Sequence, residues 1–280
     1  MNFTGWLRFG FPCAVLLVLG IPWSGKAEGQ ESNASDVAKE LSNPVSDMVS
    51  IPAQFNWENG VGPDSVSDLR FVLNVQPVIP FSLNEKWNLI GRFIVPYINQ
   101  PAGLLPGSLP TSGTGDIVMS TFLSPKESAI TWGVGPVFGI PTTTNPLLGS
   151  GKWQAGPTFV VLKLTEKYAL GGLANHLWSF ANTGKAERDK VNTTFLQPFV
   201  ALFLPKAMTL TLQSESTCNW EANDGERWTV PINVLLSKVA KLGPFPFSVL
   251  GGAGYYVETP TGGPDWKLRT AFTLILPAGK

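Results

Sequence analysis

Apolar residues stand at every second position along most of the chain after residue 48. The first such segment shows the pattern with Val49, Ile51, Ala53, Phe55 and Trp57. A period of two is typical of a β-strand with one apolar face. The pattern predicts twelve strands near residues 49–57, 68–81, 87–99, 115–124, 130–141, 153–164, 168–179, 191–204, 208–220, 227–239, 246–258 and 266–277. Most of these segments have the roughly 9–11 residues that a tilted strand needs to cross a bilayer.

The connections between these segments alternate in length. Short ones lie at residues 82–86, 125–128, 165–167 and 205–207, and longer ones lie near residues 58–67, 100–114, 142–152 and 180–190. Short turns on the periplasmic side and long loops outside are typical of bacterial outer-membrane barrels. The sequence therefore predicts an all-β fold, a transmembrane antiparallel up-and-down β-barrel of about 12 strands with both termini in the periplasm.

The tryptophans after residue 27 fall near the ends of the predicted strands. Six flank the longer loops, namely Trp57, Trp153, Trp178, Trp220, Trp228 and Trp266, and two follow short turns, namely Trp87 and Trp132. Such placement predicts two aromatic girdles at the membrane interfaces. The alternative is that these residues mark the edges of a soluble β-sandwich core, which would leave the alternation of the loops unexplained.

Composition supports a membrane barrel and disfavours a nucleic-acid partner. Hydrophobic residues make up 44% of the chain and charged residues only 14%, below the usual quarter. Twenty basic residues balance twenty acidic ones, so no basic face is indicated. Cys218 is the only cysteine after residue 27, which excludes an internal disulfide and a cysteine-based metal cluster there.

The N-terminal segment divides into two parts before the barrel at residues 48–280. Residues 1–27, with Arg8 followed by an apolar run, predict a removable signal peptide, and a single-pass anchor is the alternative. Residues 28–47 predict a short periplasmic helix or a flexible arm. Ser35 is the expected N-cap and Pro44 the expected stop of that helix. This arm could plug part of the periplasmic mouth.

Six prolines lie inside the predicted strands, where a missing N–H group interrupts a ladder. They are Pro77, Pro96, Pro136, Pro157, Pro198 and Pro231. One interpretation is local distortion with bulges. The other is a kinked wall with a lateral gap toward the bilayer.

Alternation also predicts which polar side chains face the lumen if the apolar face meets lipid. The predicted lumen-lining residues are Gln54, Asn56, Arg70, Asn74, Gln76, Arg92, Asp116, Gln213, Glu215, Asn233, Lys267 and Arg269. Charges of both signs could pair across the interior, with Lys267 and Arg269 near Gln54 and Asn56. Alternatively, Arg70, Arg92 and Arg269 could form a ladder that selects solutes.

No catalytic, cofactor or metal site is predicted. His176 is the only histidine, and Ser179 three residues later should point to the opposite face of the strand. Residues 113–116 superficially resemble a phosphate-binding loop but precede no helix. Asp64, Asp224 and Asp265 in the loops are better explained by turn chemistry than by a calcium site.

Several sequence runs resemble a bacterial family known as neuromedin-U-like, related to outer-membrane proteins of the MetA pathway of phenol degradation. The runs are residues 38–44, 73–80, 113–116, 132–137, 173–178 and 215–217. The resemblance covers nearly all of the chain after residue 38. It implies an outer-membrane transport role without an agreed substrate or site. Cys218 stands where similar proteins are expected to have an aromatic residue.

These features predict a bacterial outer-membrane channel or transporter that gives a passive or facilitated path to small, including hydrophobic or aromatic, solutes. Expected partners are outer-membrane lipid, the small-molecule solute and the barrel-assembly machinery during biogenesis. A sealed barrel with a structural or surface-interaction role is the first alternative. An outer-membrane lipid-modifying enzyme is the second.

Overall fold

The segments with a period of two form antiparallel strands in the computed structural model of the 280-residue chain. The structure describes residues 28–62, 68–102, 109–184, 188–242 and 245–276. The predicted signal peptide and Asp64 lie outside the described residues.

One helix and fifteen strand segments form the described part of the chain. They are α1 (Glu28–Leu41), β1 (Val49–Val61), β2 (Asp68–Val75), β3 (Val78–Ser82), β4 (Trp87–Gln100), β5 (Thr111–Thr114), β6 (Ile117–Pro125), β7 (Thr131–Ile140), β8 (Lys152–Leu164), β9 (Tyr168–Asn182), β10 (Asn192–Leu204), β11 (Met208–Ser214), β12 (Ser216–Asn219), β13 (Trp228–Leu242), β14 (Phe245–Glu258) and β15 (Trp266–Leu276).

The fifteen segments form twelve strands, because three pairs of segments are halves of one interrupted strand. These pairs are β2 with β3, β5 with β6, and β11 with β12. Each strand pairs antiparallel with its neighbours in the chain, and β15 pairs with β1 through Ala53 opposite Phe272. The sheet therefore closes, and the predicted twelve-stranded up-and-down barrel is confirmed.

The strand register defines an inward and an outward face. Asn56 stands opposite Arg269 and Val72, and all three side chains point inward. Their neighbours in sequence point outward, where large apolar side chains are exposed: Leu69, Leu123, Val134, Phe159, Leu170, Leu212, Val234 and Phe272. The register also points the eight tryptophans outward near strand ends, and Trp87 meets Trp132 edge to face with ring centroids 5.9 Å apart.

Interruptions of the ladders accompany the in-strand prolines. Pro77 separates β2 from β3. Pro136 of β7 stands opposite Pro157 of β8, and at these prolines two residue pairs are missing from the β6–β7 pairing and two from the β8–β9 pairing. Pro231 lies at a register shift. At Pro77, Pro136 and Pro157 the register is the same on both sides of the interruption, which is local distortion of the wall. A lateral gap toward the bilayer stays a prediction.

The remaining two prolines, Pro96 and Pro198, lie next to interruptions of a neighbouring strand. Pro96 pairs with Asn74, and its carbonyl accepts the N–H of Gly115 at 3.0 Å, between β5 and β6. Pro198 stands opposite Gly172 and beside the break between β11 and β12 at Glu215. Both β11 and β12 keep one register with β10, so the interruption does not shift the pairing of the strand.

Helix α1 lies at the end of the barrel that carries the short turns. Its Ala34 and Ala38 side chains are buried against Ala207 and Val239 of the wall. The helix has already begun at Glu28, so the expectation that Ser35 is its N-cap is wrong. Ala34, directly before Ser35, is buried against the wall, so this contact stabilises a helix in which Ser35 is an interior position. Among the described residues no helix is long and apolar enough to cross a membrane.

Apolar side chains also fill one part of the barrel interior, so the apolar residues of this chain do not all face outward. Ile90, Phe122, Val160 and Leu173 point inward and form a buried cluster with Val45 of the N-terminal segment. Gly133 leaves the space in which Val45 packs, because a Cβ there would lie 3.4 Å from the Val45 side chain and 3.1 Å from Phe122. The segment after α1 is therefore inside the barrel.

The outward face predicts a strong penalty for charge at the middle of a strand. Leu73 points outward between Phe55 and Tyr97. We expect Leu73→Arg to lower the free energy of unfolding by about 2–4 kcal/mol, as for cations placed in the lipid-facing midplane of barrels. Urea titration in lipid vesicles, followed by tryptophan fluorescence, measures the change.

Leu83→Arg is the matched control, because Leu83 is exposed in the short turn between β3 and β4. Its cost should stay below about 1 kcal/mol. Equal costs for the two substitutions would contradict the assignment of the outward face.

Candidate functional site in the barrel interior

A buried carboxylate, Glu215, occupies the centre of the polar half of the interior. Arg269 donates to both of its oxygens, with Nη1–Oε1 at 2.8 Å and Nη2–Oε2 at 2.7 Å. Lys267 Nζ donates to Oε2 at 3.2 Å. Only 5% of each cationic side chain and 18% of the Glu215 side chain are exposed. Such bidentate pairing fixes the three side chains in one arrangement.

A second carboxylate, Glu58, lies beside this cluster on β1. Arg70 Nε donates to Glu58 Oε2 at 2.7 Å, and the hydroxyl of Tyr256 donates to Oε1 at 2.7 Å. Lys267 Nζ stands 5.4 Å from the centroid of the Tyr256 ring. The sequence analysis missed Glu58 and Tyr256, although the period of two that selected Gln54 and Asn56 continues to residue 58.

These residues form a polar belt, which we define as Asn56, Glu58, Arg70, Glu215, Tyr256, Lys267 and Arg269. Arg269 Nε donates to Asn56 Oδ1 at 2.7 Å, so the arginine connects β15 with β1 as well as with Glu215. The register explains this contact, since Arg269 and Asn56 are directly opposite in the pair that closes the barrel.

A chain of amides extends from the belt toward β4. Gln76 Nε2 donates to Gln54 Oε1 at 2.9 Å, and Arg92 Nη2 donates to Gln76 Oε1 at 3.0 Å. In the described residues Arg92 has no carboxylate within ion-pair distance, in contrast to Arg70 and Arg269. The structure thus separates the three arginines of the predicted ladder into two that are paired and one that is not.

The remaining predicted lumen residues also lie on the inward face. Gln213 donates to Glu215 at 3.2 Å and accepts from Gln197 at 3.4 Å. Asn233 is fully buried, and its Nδ2 donates to the carbonyl of Gln213 at 3.3 Å. Asn74 stands opposite Gln54. Their role toward a solute stays a prediction.

Asp116 holds an outer loop instead of lining either of the cavities described below. Its Oδ2 accepts from the backbone N–H and the hydroxyl of Ser150, both at 2.7 Å, and its Oδ1 accepts from Thr143 N at 3.3 Å. Residues 113 and 114 belong to β5, and no helix follows them. The glycine-rich run therefore fixes the loop at residues 141–151 to the barrel.

Two cavities lie inside the barrel, and the belt lines one of them. The helix-side cavity, of about 230 Å³, is bounded by residues 38–46 and by inward residues such as Gln54, Arg92, Phe199 and Leu235. The loop-side cavity, of about 210 Å³, is bounded by Glu58, Arg70, Asn74, Pro264 and the rest of the belt. Arg269 contributes to the walls of both.

His176 lies on the outward face, away from these cavities. Its Nδ1 is 2.7 Å from the Thr194 hydroxyl, which also accepts from Trp220 Nε1 at 2.8 Å. Its ring contacts Trp178 with centroids 4.0 Å apart. Ser179 aligns with the inward Gln154 and accepts the N–H of Val191 at 2.9 Å. The two residues point to opposite faces and do not form a nucleophile–base pair.

Two further sequence features have structural roles. Cys218 is fully buried on the outward side, opposite Thr194 and Trp228. Asp224 pairs with Arg227 at 2.9 Å. In the described residues no group of three or more His, Cys, Asp or Glu side chains could hold a metal ion.

Comparison with solved structures shows the fold of a bacterial outer-membrane barrel. The chain is similar to an outer membrane channel from Pseudomonas putida F1, with a TM-score of 0.60 and 16% identity, over 82% of this chain and 94% of that one. Weaker similarity extends to outer membrane phospholipase A from Escherichia coli, with a TM-score of 0.42 and 10% identity over 88% of this chain and 99% of that one. A Pseudomonas aeruginosa FadL homologue gives a TM-score of 0.41 and 10% identity over 83% of this chain and 89% of that one.

The sequence of the chain gives no match that would extend the structural similarity. No protein-family model matches the chain, and no curated protein matches it. The resemblance to an outer-membrane transport family is supported at the level of the fold by the Pseudomonas putida channel. The neuromedin-U-like label has no such support.

Removal of the negative charge of Glu215 should strongly destabilise the barrel. In the Glu215→Gln variant, Arg269 and Lys267 lose the only carboxylate that they contact among the described residues. We expect the free energy of unfolding to fall by about 3–5 kcal/mol, as when one partner of a buried ion pair is removed.

Glu221→Gln is the control, because Glu221 is exposed in a loop and its side chain accepts one hydrogen bond, from Asn192 Nδ2 at 3.3 Å. Urea unfolding in vesicles should give a change below about 0.5 kcal/mol for it. A similar, small change for Glu215→Gln would show that the cluster contributes little to stability.

Proposed function

We propose that the chain is a bacterial outer-membrane channel in which small solutes pass through the barrel and the N-terminal segment controls passage. The observation that carries this proposal is the pair of cavities on the polar side of the interior. They lie in series along the barrel and meet at Arg269, and the belt that lines the loop-side cavity is made of side chains and not of backbone.

The attachment of the N-terminal segment is suited to a movable plug. Ala34 and Ala38 each bury little more than a methyl group, worth about 0.8 kcal/mol each. Lys39 pairs with Glu166 in a short turn, and this hydrogen bond and charge raise the pKa of Lys39. Val45, by contrast, is 5% exposed inside the apolar cluster. Helix α1 could therefore leave the mouth while Val45 holds the segment in place.

Location and partners follow from the same fold. A barrel with an apolar outer face belongs in a lipid bilayer, and the fold-level likeness is to outer-membrane proteins. We infer that the chain is exported by its N-terminal signal, contacts outer-membrane lipid and requires the barrel-assembly machinery. Hydrophobic or aromatic solutes are the proposed cargo because Phe199, Leu235 and Leu250 line part of the helix-side cavity.

A sealed barrel with a structural role is the second candidate, because the belt is closely paired and α1 covers one mouth. Conductance separates the two. The double variant Ala34→Glu with Ala38→Glu places two carboxylates against Ala207 and Val239 and should displace α1. In planar bilayers we expect it to raise the open fraction of the channel several-fold over the unmodified protein.

The matched control is Asp36→Ala, on the exposed side of the helix, where 71% of the Asp36 side chain is exposed. It should leave the conductance unchanged. A heat-modifiable shift on gels verifies that each barrel is folded. An absence of current and of solute flux in every variant would favour the sealed barrel, and equal conductance of the double variant and the unmodified protein would exclude α1 as the plug.

A further inference from the structure

Arg92 differs from the other cations that line the two cavities because it forms no ion pair in the described part of the chain, although the charge of Glu215 also acts on it. Of the five N–H groups of a guanidinium, one donates to a side chain among the described residues, the amide of Gln76 at 3.0 Å. Arg70 pairs with Glu58, and Arg269 and Lys267 share Glu215. Arg92 is also part of the wall of the helix-side cavity.

The charges around the two cavities leave an excess of positive charge near Arg92. Four cations line the cavities, namely Arg70, Arg92, Lys267 and Arg269, against the three carboxylates Glu40, Glu58 and Glu215. Glu40 is the carboxylate that shares the helix-side cavity, but it lies in the last turn of α1 and forms no ion pair with Arg92. An anion beside Arg92 would therefore form charge-assisted hydrogen bonds with its guanidinium.

One part of the wall of the helix-side cavity is apolar and can receive the body of a small organic molecule, while polar residues such as Gln54, Thr211 and Ser248 form the other part. Its wall includes Phe199, Leu235, Val239, Leu250 and Ala271, together with Val78 next to Arg92. A volume of about 230 Å³ exceeds that of an apolar cavity of roughly 150 Å³ that binds benzene. One aromatic ring with one small polar group fits these dimensions.

We propose that the helix-side cavity binds a small monocarboxylate with an apolar body, with its carboxylate on the guanidinium of Arg92. The proposal rests on the channel function and names its class of solute. A planar carboxylate accepts two parallel N–H groups of a guanidinium, and the apolar wall receives the ring or chain. A dianion would leave one charge without a partner, because only Arg92 of the nearby cations is unpaired.

The test measures binding of benzoate and of its neutral analogue benzamide to the full-length protein in detergent by isothermal titration calorimetry. Benzoate should bind at one site, and benzamide at least 10-fold more weakly. The Arg92→Gln variant should lose about 10- to 100-fold in affinity for benzoate, as expected for charge-assisted hydrogen bonds. Arg92→Lys keeps the positive charge but not the planar pair of N–H donors, so its affinity for benzoate should lie between those of the unmodified protein and Arg92→Gln.

Arg227→Gln is the control with the same change of charge, because Arg227 lies in an outer loop and pairs with Asp224 at 2.9 Å. Its benzoate affinity should equal that of the unmodified protein. The proposal is overturned if benzoate does not bind, if benzamide binds equally well, or if Arg92→Gln and Arg92→Lys both bind benzoate unchanged. Conductance of the same preparations tests the channel separately, since current without benzoate binding rejects only the carboxylate site, and binding without current rejects only the channel.

Discussion

Closure of the sheet is the constraint on which every other feature of this barrel depends. In the hydrocarbon region there is no water to pair with backbone N–H and C=O groups, so a strand must have a partner on each side. The first and last strands of this chain supply the final partnership, with eleven aligned residue pairs between Val49–Asn59 and Trp266–Leu276. The same pairing places Arg269 against Asn56 and thereby positions the polar belt.

Several strands of the wall are interrupted, and one interruption lies at Glu215 of the polar belt. Residue 215 lies between β11 and β12, where the ladder lacks pairs on both sides. The Ser214 and Ser216 hydroxyls bond to each other at 2.6 Å at this break. Because the register is the same on both sides of the break, Glu215 keeps the inward direction of Gln213, and two cations contact its carboxylate there.

The interior is asymmetric, and this asymmetry determines what the barrel can do. The half built from β4 and β6–β10 is packed with apolar side chains and with Val45, and so resembles the core of a soluble protein. The half that contains β1, β2 and β11–β15 holds the polar belt, and the two cavities lie there, with Arg92 of β4 and Phe199 of β10 bordering the helix-side cavity. A solute in the proposed site would therefore meet the guanidinium of Arg92 and a partly apolar wall together. This combination suits amphipathic solutes better than strongly hydrated ones.

The sequence by itself determined the number of strands, their antiparallel order and the outward face, because a period of two and the alternation of loop lengths are local properties. It also placed Gln54, Asn56, Arg70 and Arg269 on one face. Only the tertiary structure decided which charges pair, since Glu58, Glu215 and Arg269 come from strands far apart in sequence. It alone showed that Ile90 and Phe122 face inward, because an apolar run looks the same whether lipid or a packed interior receives it. Arg92 is the clearest case, since its lack of an ion pair among the described residues depends on the whole surroundings of the side chain and not on its own position in the sequence.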